Sequence, residues 1–334
     1  MTSSTTTKPR VMAGMRPTGG LHLGHLVGVL SQWSAFCETA DAFFEIADLH
    51  AYTTGFEHPQ AIRDARNEMV AVWLAAGVDP QRSTIFLQSA VPQISELHTL
   101  LSMITPVSWL ERVPTWKGQI EELGGHVATY GFLGYPLLQL CDIAVVRGER
   151  VPVGRDQVAH LEFGREVVRR FNYLYGEGAE ILVEPQPTLN EFAEVPGIDG
   201  RKMSKSYENA ILIEDTDETT TKKVRSMFTD PNKLRRNDPG NPDICPVFAM
   251  WKFVNPLRLD GIAAQCRSGE LGCVADKSEM AEQLNEYLRP VRDRLHTYRS
   301  DMAQVEAIVE TGSARVRDIA AAVLHDVKAA MKLT

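Results

Sequence analysis

The chain has 334 residues, 44% hydrophobic and 23% charged, with a formal net charge of −8. That length suggests two domains, or one large domain with an appendage, and the composition is that of a soluble globular protein able to bury a core without covalent staples. No apolar run is long enough to span a bilayer, and five cysteines (Cys37, Cys141, Cys245, Cys266, Cys273) without an export signal argue against a secreted disulfide framework. Reduced thiols or metal ligands in a cytoplasmic protein are expected instead.

Residues 1–10 (MTSSTTTKPR) are polar, have no apolar stretch behind them, and read as a disordered tail. Val11 to Met15 reads as a strand running into the turn Arg16-Pro17-Thr18-Gly19-Gly20, and Leu21 to Cys37 has helical spacing. Ala42 to Ala47 (AFFEIA) reads as a buried strand, His58 to Gly77 as a helix with Pro59 in its first turn, and Ser83 to Gln88 as another strand. Ile94 to Leu123 looks helical but broken at Pro106 and Pro114. A glycine-rich loop then leads to a buried helix, Tyr135 to Val146, with Pro136 in its first turn. Val151 to Val153 is a short strand, Asp156 to Tyr175 a strongly amphipathic helix, and Ile181 to Val183 the candidate last strand; after Lys205 the pattern is helical almost to the end. Strands alternating with helices imply a parallel sheet covered on both faces. The fold class is therefore α/β, with a Rossmann-like parallel-sheet domain followed by an all-helical C-terminal domain.

Two segments carry chemistry. The first is Arg16-Pro17-Thr18-Gly19-Gly20-Leu21-His22-Leu23-Gly24-His25. A turn between the first strand of a parallel sheet and a helix N-terminus suits phosphate. Gly24 leaves room for a nucleotide base. His22 and His25, one helical turn apart, can both donate to a phosphate gaining charge; the competing reading is two surface histidines beside a turn. The second is Lys202-Met203-Ser204-Lys205-Ser206 after Pro196-Gly197-Ile198-Asp199-Gly200-Arg201. It reads as a mobile loop whose two ammonium groups meet a departing pyrophosphate, or as an ordinary solvated basic loop. From Lys222 to Arg236 six basic residues (Lys222, Lys223, Arg225, Lys233, Arg235, Arg236) accompany one acid, Asp230. Such a run fits a nucleic-acid partner on an acidic protein, or a solvated face.

H-x-G-H followed about 180 residues later by K-M-S-K-S resembles the double motif of class I aminoacyl-tRNA synthetases. Further stretches resemble bacterial tryptophanyl-tRNA synthetases: Gly14 to Gly19, Ala47-Asp48-Leu49-His50-Ala51, Tyr135 to Ile143, Val151 to Gln157, Pro196 to Arg201, and Ser206 to Asn209. The resemblance runs from about Val11 to Leu333. It implies a catalytic domain over residues 11–206, with a helical connective insertion around 94–133, and a helical anticodon-recognition domain over 207–334. It implies adenylation of L-tryptophan with ATP and Mg²⁺, transfer to tRNA(Trp), and a homodimer formed through the 94–133 surface. His22, His25, Lys202 and Lys205 are the implied catalytic residues. Arg16, Pro17, Thr18, Gly24, His25, Gly154, Arg155, Asp156, Val195, Lys202, Met203, Ser204, Lys205 and Ser206 are the implied ATP contacts. Tyr135, Gln139 and Gln157 would hold the tryptophan ammonium and Asp142 the indole N–H, with Met12 and His50 completing the pocket.

Tyrosyl-tRNA synthetases share this architecture, including the Tyr135, Gln139, Asp142 face. An indole N–H only donates, so a carboxylate suits it, but a tyrosine hydroxyl could also donate to Asp142. Met12 separates the two readings. It stands where the tyrosine enzymes carry a second hydroxyl-pairing residue, and a thioether cannot do that work. A tRNA-independent nucleotidyltransferase shares H-x-G-H but lacks the lysine loop; a resistant or partner-binding second copy of the synthetase remains an alternative. Two departures stand out. Arg155 replaces the acid expected in Gly154-Arg155-Asp156-Gln157. The resemblance points to a branch in which some members hold a [4Fe–4S] cluster, yet only Cys245, Cys266 and Cys273 are present, with Asp276 at the fourth position. Carboxylate is a poor soft-site ligand, so free thiols are expected, with a remnant metal site as the alternative.

Overall fold

The computed structural model describes residues 8–189 and 195–334, apart from the side chains of Thr115, Lys117, Gln119, Glu122, Leu123, Asp156 and Ser206. Five strands form one parallel sheet: β1 (Arg10–Met15), β2 (Asp41–Ile46), β3 (Ser83–Leu87), β4 (Arg150–Val153) and β5 (Gln186–Leu189), in the spatial order β3-β2-β1-β4-β5. The chain builds outward from β1 to one side and returns to add β4 and β5 on the other. The β1/β4 boundary is thus the switch point where such sheets open a crevice at their carboxyl ends. Strand β1 starts at Arg10, inside the stretch expected to be a tail, and Lys8 already donates to the Glu38 carbonyl. Residues 1–7 lie outside the described residues.

Between β1 and β2 run α1 (Leu23–His25), a π-helical turn (Leu26–Leu30) and α2 (Ser31–Thr39), and between β2 and β3 run α3 (Asp48–Gly55) and α4 (Pro59–Ala75). The helix expected from Leu21 to Cys37 therefore exists but changes pitch directly after His25; π turns of this kind cluster at functional sites. The broken helical stretch resolves into α5 (Pro92–Ser102), α6 (Val107–Glu111) and α7 (Pro114–Leu123), parted where the prolines stand. Helix α8 (Tyr130–Val145) starts earlier than expected. Thr129 caps it by accepting from the Phe132 amide at 3.1 Å, so Gly131 and Gly134 are helical rather than part of a loop, and Pro136 lies inside the helix. Next comes α9 (Val158–Tyr175).

The last strand is not Ile181 to Val183. Asn172 on α9 takes the Ile181 and Leu182 amides on its Oδ1 and gives Nδ2 to the Leu182 carbonyl, which ties that segment to the helix. The sheet is completed by β5 instead, a strand containing Pro187, which an edge position tolerates.

The C-terminal region comprises α10 (Asp217–Arg225), α11 (Pro246–Val254), α12 (Leu259–Ser268), α13 (Cys273–Ser300) and α14 (Met302–Ala330). These helices share the apolar cores of the sheet region. Leu284 and Leu288 of α13 join Val70 and Trp73 of α4, while Val316, Ala320 and Val323 of α14 join Met12, Phe43 and Phe86. Helix α14 lies along the edge strand β3. Ser313 Oγ accepts from the Leu87 amide at 3.1 Å, and a Cβ on Gly312 would sit 1.9 Å from the Ile85 carbonyl oxygen. A helix thus covers an edge that would otherwise offer unpaired backbone groups. Among the described residues no helix is long and apolar enough to cross a membrane.

Candidate active site

A cavity of about 400 Å³ opens at the switch point. Its walls come from the end of β1 (Met12 to Arg16), the end of β4 (Val151 to Gly154), Glu45 of β2, His50 of α3 and the α8 face bearing Tyr135, Gln139 and Asp142, with Gln157 beside them. Met12, His50, Tyr135, Gln139, Asp142 and Gln157, scattered through the sequence, thus meet around one space. Period two in the strands explains part of this: Met12, Gly14, Phe43 and Glu45 project to the α8 side, while Ala13, Phe44 and Ile46 pack into the opposite core.

Asp142 is 2% exposed and is satisfied by side chains. His50 Nε2 donates to its Oδ2 at 2.8 Å, and Gln88 Nε2 to its Oδ1 at 2.9 Å. Gln88 also accepts from the Leu49 and His50 amides on its Oε1, so one buried amide holds both Asp142 and the start of α3. Asp48, fully buried, accepts from Ser89 and pairs with Arg66 at 2.7 Å. Across the cavity a chain runs from the Tyr135 hydroxyl to His160 Nε2 at 2.9 Å, and from His160 Nδ1 to Gln157 Oε1 at 2.8 Å.

Beside the cavity the two loops interlock. His22 Nδ1 accepts from the Gly24 amide at 3.1 Å, and His25 Nδ1 from the His22 amide at 3.2 Å. Both rings therefore carry their proton on Nε2, and their centroids are 3.8 Å apart. Burial, reinforced by Lys205, lowers the His22 pKa to about 4; burial, His22 and Lys205 lower that of His25 to about 3. The pair is a neutral double donor at physiological pH. A Cβ at Gly24 would meet the His22 ring at 3.0 Å and Val195 at 3.8 Å, so glycine is needed there by the protein itself.

Lys205 Nζ donates to the Thr18 carbonyl at 2.7 Å, which closes the lysine loop onto the turn beginning at Arg16. Arg16 lines the cavity and Pro17 is buried beneath the turn. The loop is shaped by Asn209, which is 1% exposed. Its Oδ1 accepts from the Ser204 amide at 2.8 Å, and its Nδ2 donates to Asp199 and to the Lys202 carbonyl. Met203 is buried and bonds through its amide to the Val195 carbonyl, while the Lys202 side chain is exposed. Backbone bonds from Leu23 to Ile211 and from Ile213 to Leu21 join the histidine and lysine segments. Arg155 is exposed and stands outside the cavity walls, whereas Gly154 is one of them. The side chains of Asp156 and Ser206 lie outside the described residues.

Four residues of this apparatus were not read from the sequence: Glu45, Gln88, His160 and Asn209. The signals were present. A carboxylate in the middle of AFFEIA and a glutamine ending STIFLQ are polar residues in buried strands, which demand partners.

Cys245, Cys266, Cys273 and Asp276 line one small cavity of about 20 Å³ below α11 to α13. Burial raises the Cys245 thiol to about 11 and also raises Cys266. Asp276 Oδ1 is engaged by Trp251 Nε1 at 2.9 Å, and Lys233 and Lys277 share the lining. Among the described residues no set of three such groups is arranged to hold a metal ion. Three thiols and a carboxylate already held by an indole N–H, with two lysines in the lining, are not the four-thiolate donor set that an iron–sulfur cluster takes.

The switch-point cavity with its histidine turn and lysine loop defines a class: a nucleotide-binding α/β enzyme of the class I synthetase type. The family model described as tRNA synthetases class I (W and Y) matches residues 4–289, and the chain belongs to that family. A tryptophan–tRNA ligase of Aquifex aeolicus is 39% identical over 97% of this chain and 100% of its own length. The Campylobacter jejuni tryptophanyl-tRNA synthetase solved with ADP and tryptophan superposes with a TM-score of 0.88 at 30% identity, covering 97% of this chain and 100% of its own. A tyrosyl-tRNA synthetase of Archaeoglobus fulgidus, at 23% identity and a TM-score of 0.66 over 87% of this chain and 91% of its own, shares the fold.

Proposed function

We propose that the chain is a tryptophan–tRNA ligase, which activates L-tryptophan with ATP and passes it to tRNA(Trp). The observation that carries the amino-acid choice is the cavity floor. Asp142, clamped by His50 and Gln88, is an acceptor suited to an indole N–H, and Met12 beside it has no group to pair with a phenol. The adjoining neutral histidine pair and Lys205 support a phosphate site next to it. The ADP and tryptophan carried by the C. jejuni relative support both substrates.

In the first step a tryptophan carboxylate oxygen attacks the α-phosphorus of ATP, and pyrophosphate leaves. The Nε2–H groups of His22 and His25 donate to phosphate oxygens as charge builds, and Lys202 and Lys205 neutralise the departing pyrophosphate. Arg16, Pro17, Thr18, Gly24, Gly154, Val195, Met203 and Ser204 shape the ATP site; Mg²⁺ enters as part of that substrate. Tyr135, Gln139 and Gln157 hold the tryptophan ammonium, with His160 fixing Tyr135 and Gln157. In the second step a hydroxyl of the tRNA terminal ribose attacks the adenylate carbonyl, and AMP leaves. Most of the catalysis is positioning and charge stabilisation.

The C-terminal helices read the anticodon and the enzyme works as a cytoplasmic homodimer. Exposed Lys222, Arg225, Arg235 and Arg236 support tRNA contact; Lys223 and Lys233 instead serve the fold, the first paired with Asp215 and the second buried. Exposed Met103, Val107 and Tyr130, at 72%, 58% and 72%, support a dimer surface on the 94–133 helices. Pyrophosphate exchange driven by each amino acid in turn tests the reading.

A further inference from the structure

Among the described residues lining the cavity, Glu45 is the one carboxyl group that the reaction above does not use. It sits on β2 opposite Gly14 of β1, is 2% exposed, and lines the cavity with Asp142 and His50. Its Oε1 is buried without a hydrogen-bond partner, and Oε2 is so close to β1 that a Cβ on Gly14 would lie 3.1 Å from it. It is within hydrogen-bonding reach of the Asp142 carboxylate, with Asp48 next nearest in charge. Two buried carboxylates in contact cannot both ionise; one keeps a proton and gives it to the other. Asp142 already receives hydrogens from His50 and Gln88 on its two oxygens. Glu45 has no such donor on Oε1, so the proton belongs to Glu45.

We propose that Glu45 is a specificity-determining residue that acts through Asp142: as the neutral acid it donates to Asp142 and leaves that carboxylate one free acceptor site for the ligand. A carboxylate offers about four lone-pair sites. His50, Gln88 and Glu45 take three, and the fourth faces the cavity. His50 and Glu45 spend their hydrogens on Asp142, so they have none for a ligand oxygen. A ligand that only donates, such as an indole N–H, is fully matched; a phenol hydroxyl gives its hydrogen but leaves its lone pairs unmet. This rests on the tryptophan reading and extends it to a residue outside the known motifs.

Burial and Asp142 push the Glu45 pKa well above the ordinary carboxylate range. Other charged or titratable groups around the pair are Asp48 and His50 on α3, Arg66 of α4 paired with Asp48, Tyr135 and Cys141 on α8, His98 on α5 and Arg16 on the cavity wall. Raising the pH through the Glu45 pKa removes the shared proton, sets two carboxylates against each other and weakens tryptophan binding.

The test is calorimetric binding of tryptophan and of tyrosine to wild type, Glu45→Gln and Glu45→Ala across neutral to alkaline pH, with melting curves to verify folding. Glu45→Gln keeps the donor and cannot ionise. It should hold tryptophan affinity within about threefold of wild type at neutral pH and lose the alkaline decline that wild type shows. Glu45→Ala should weaken tryptophan about tenfold and narrow the gap to tyrosine. The proposal is overturned if Glu45→Gln is as impaired as Glu45→Ala, if Glu45→Ala binds tryptophan as well as wild type, or if wild type and Glu45→Gln have the same alkaline profile. A wild type that ignores tryptophan overturns this and the substrate reading together; normal wild-type binding with unaffected variants overturns Glu45 alone.

Discussion

Asp142 shows how a single carboxylate acquires a role from its neighbours. Nothing about a lone aspartate in the apolar run Tyr135 to Val146 separates a ligand acceptor from a buried group satisfied by backbone amides. The structure supplies side-chain partners, His50 and Gln88, which hold its two oxygens in place at the cavity. Asp142→Ala leaves the indole N–H unpaired in a dry site and should cost about 2–4 kcal/mol in kcat/KM for tryptophan, read by pyrophosphate exchange. The histidine pair makes a second residue-scale prediction. With pKa values of about 4 and 3, His22 and His25 stay neutral in the native state down to those values, while in the unfolded chain they protonate near 6.5. The unfolded state then binds more protons, so these two groups withdraw stability as pH falls from about 6.5 toward 4. Adenylation, by contrast, should show no limb from them above pH 5. Denaturation midpoints of wild type and His25→Gln against pH check the first point, since the variant should lose part of the slope.

Among elements, the lysine loop is the clearest case of a motif whose chemistry was legible and whose scaffold was not. Lys202 and Lys205 stood out by type and spacing. Asn209, which binds the loop at Ser204, Lys202 and Asp199, acts through atoms that no spacing announces. Lys202→Ala or Lys205→Ala should lower kcat for adenylation by about tenfold or more while changing KM for tryptophan little, because the charge they meet appears only as pyrophosphate leaves. Steady-state exchange kinetics separate the two, and a change confined to KM would contradict the role. The sheet was similarly half legible. Strands β1 to β4 follow from apolar runs bounded by turns, but β5 did not, because Asn172 withdraws the more apolar Ile181–Leu182 stretch and leaves a proline-containing edge. Helix α3 was missed because its start is held by Gln88, thirty-nine residues away in the chain.

On the scale of the whole molecule, the C-terminal helices are part of the enzyme's core rather than an appendage, with α13 on α4 and α14 on the sheet edge. Their three cysteines line one small cavity, as the resemblance implied, but beside an Asp276 engaged by Trp251 and with Lys233 and Lys277 in the same lining. Protein purified without oxygen should contain far less than one cluster's worth of iron and sulfide per chain and show no visible absorption from one; about four irons per chain would make Asp276 a ligand and contradict this arrangement. The central claim, however, concerns the substrate. Pyrophosphate exchange across all twenty amino acids tests it most directly. Tryptophan alone should drive rapid exchange, with tyrosine slower by orders of magnitude. Exchange as fast with tyrosine, or none with tryptophan, would contradict the account of Asp142 and Met12.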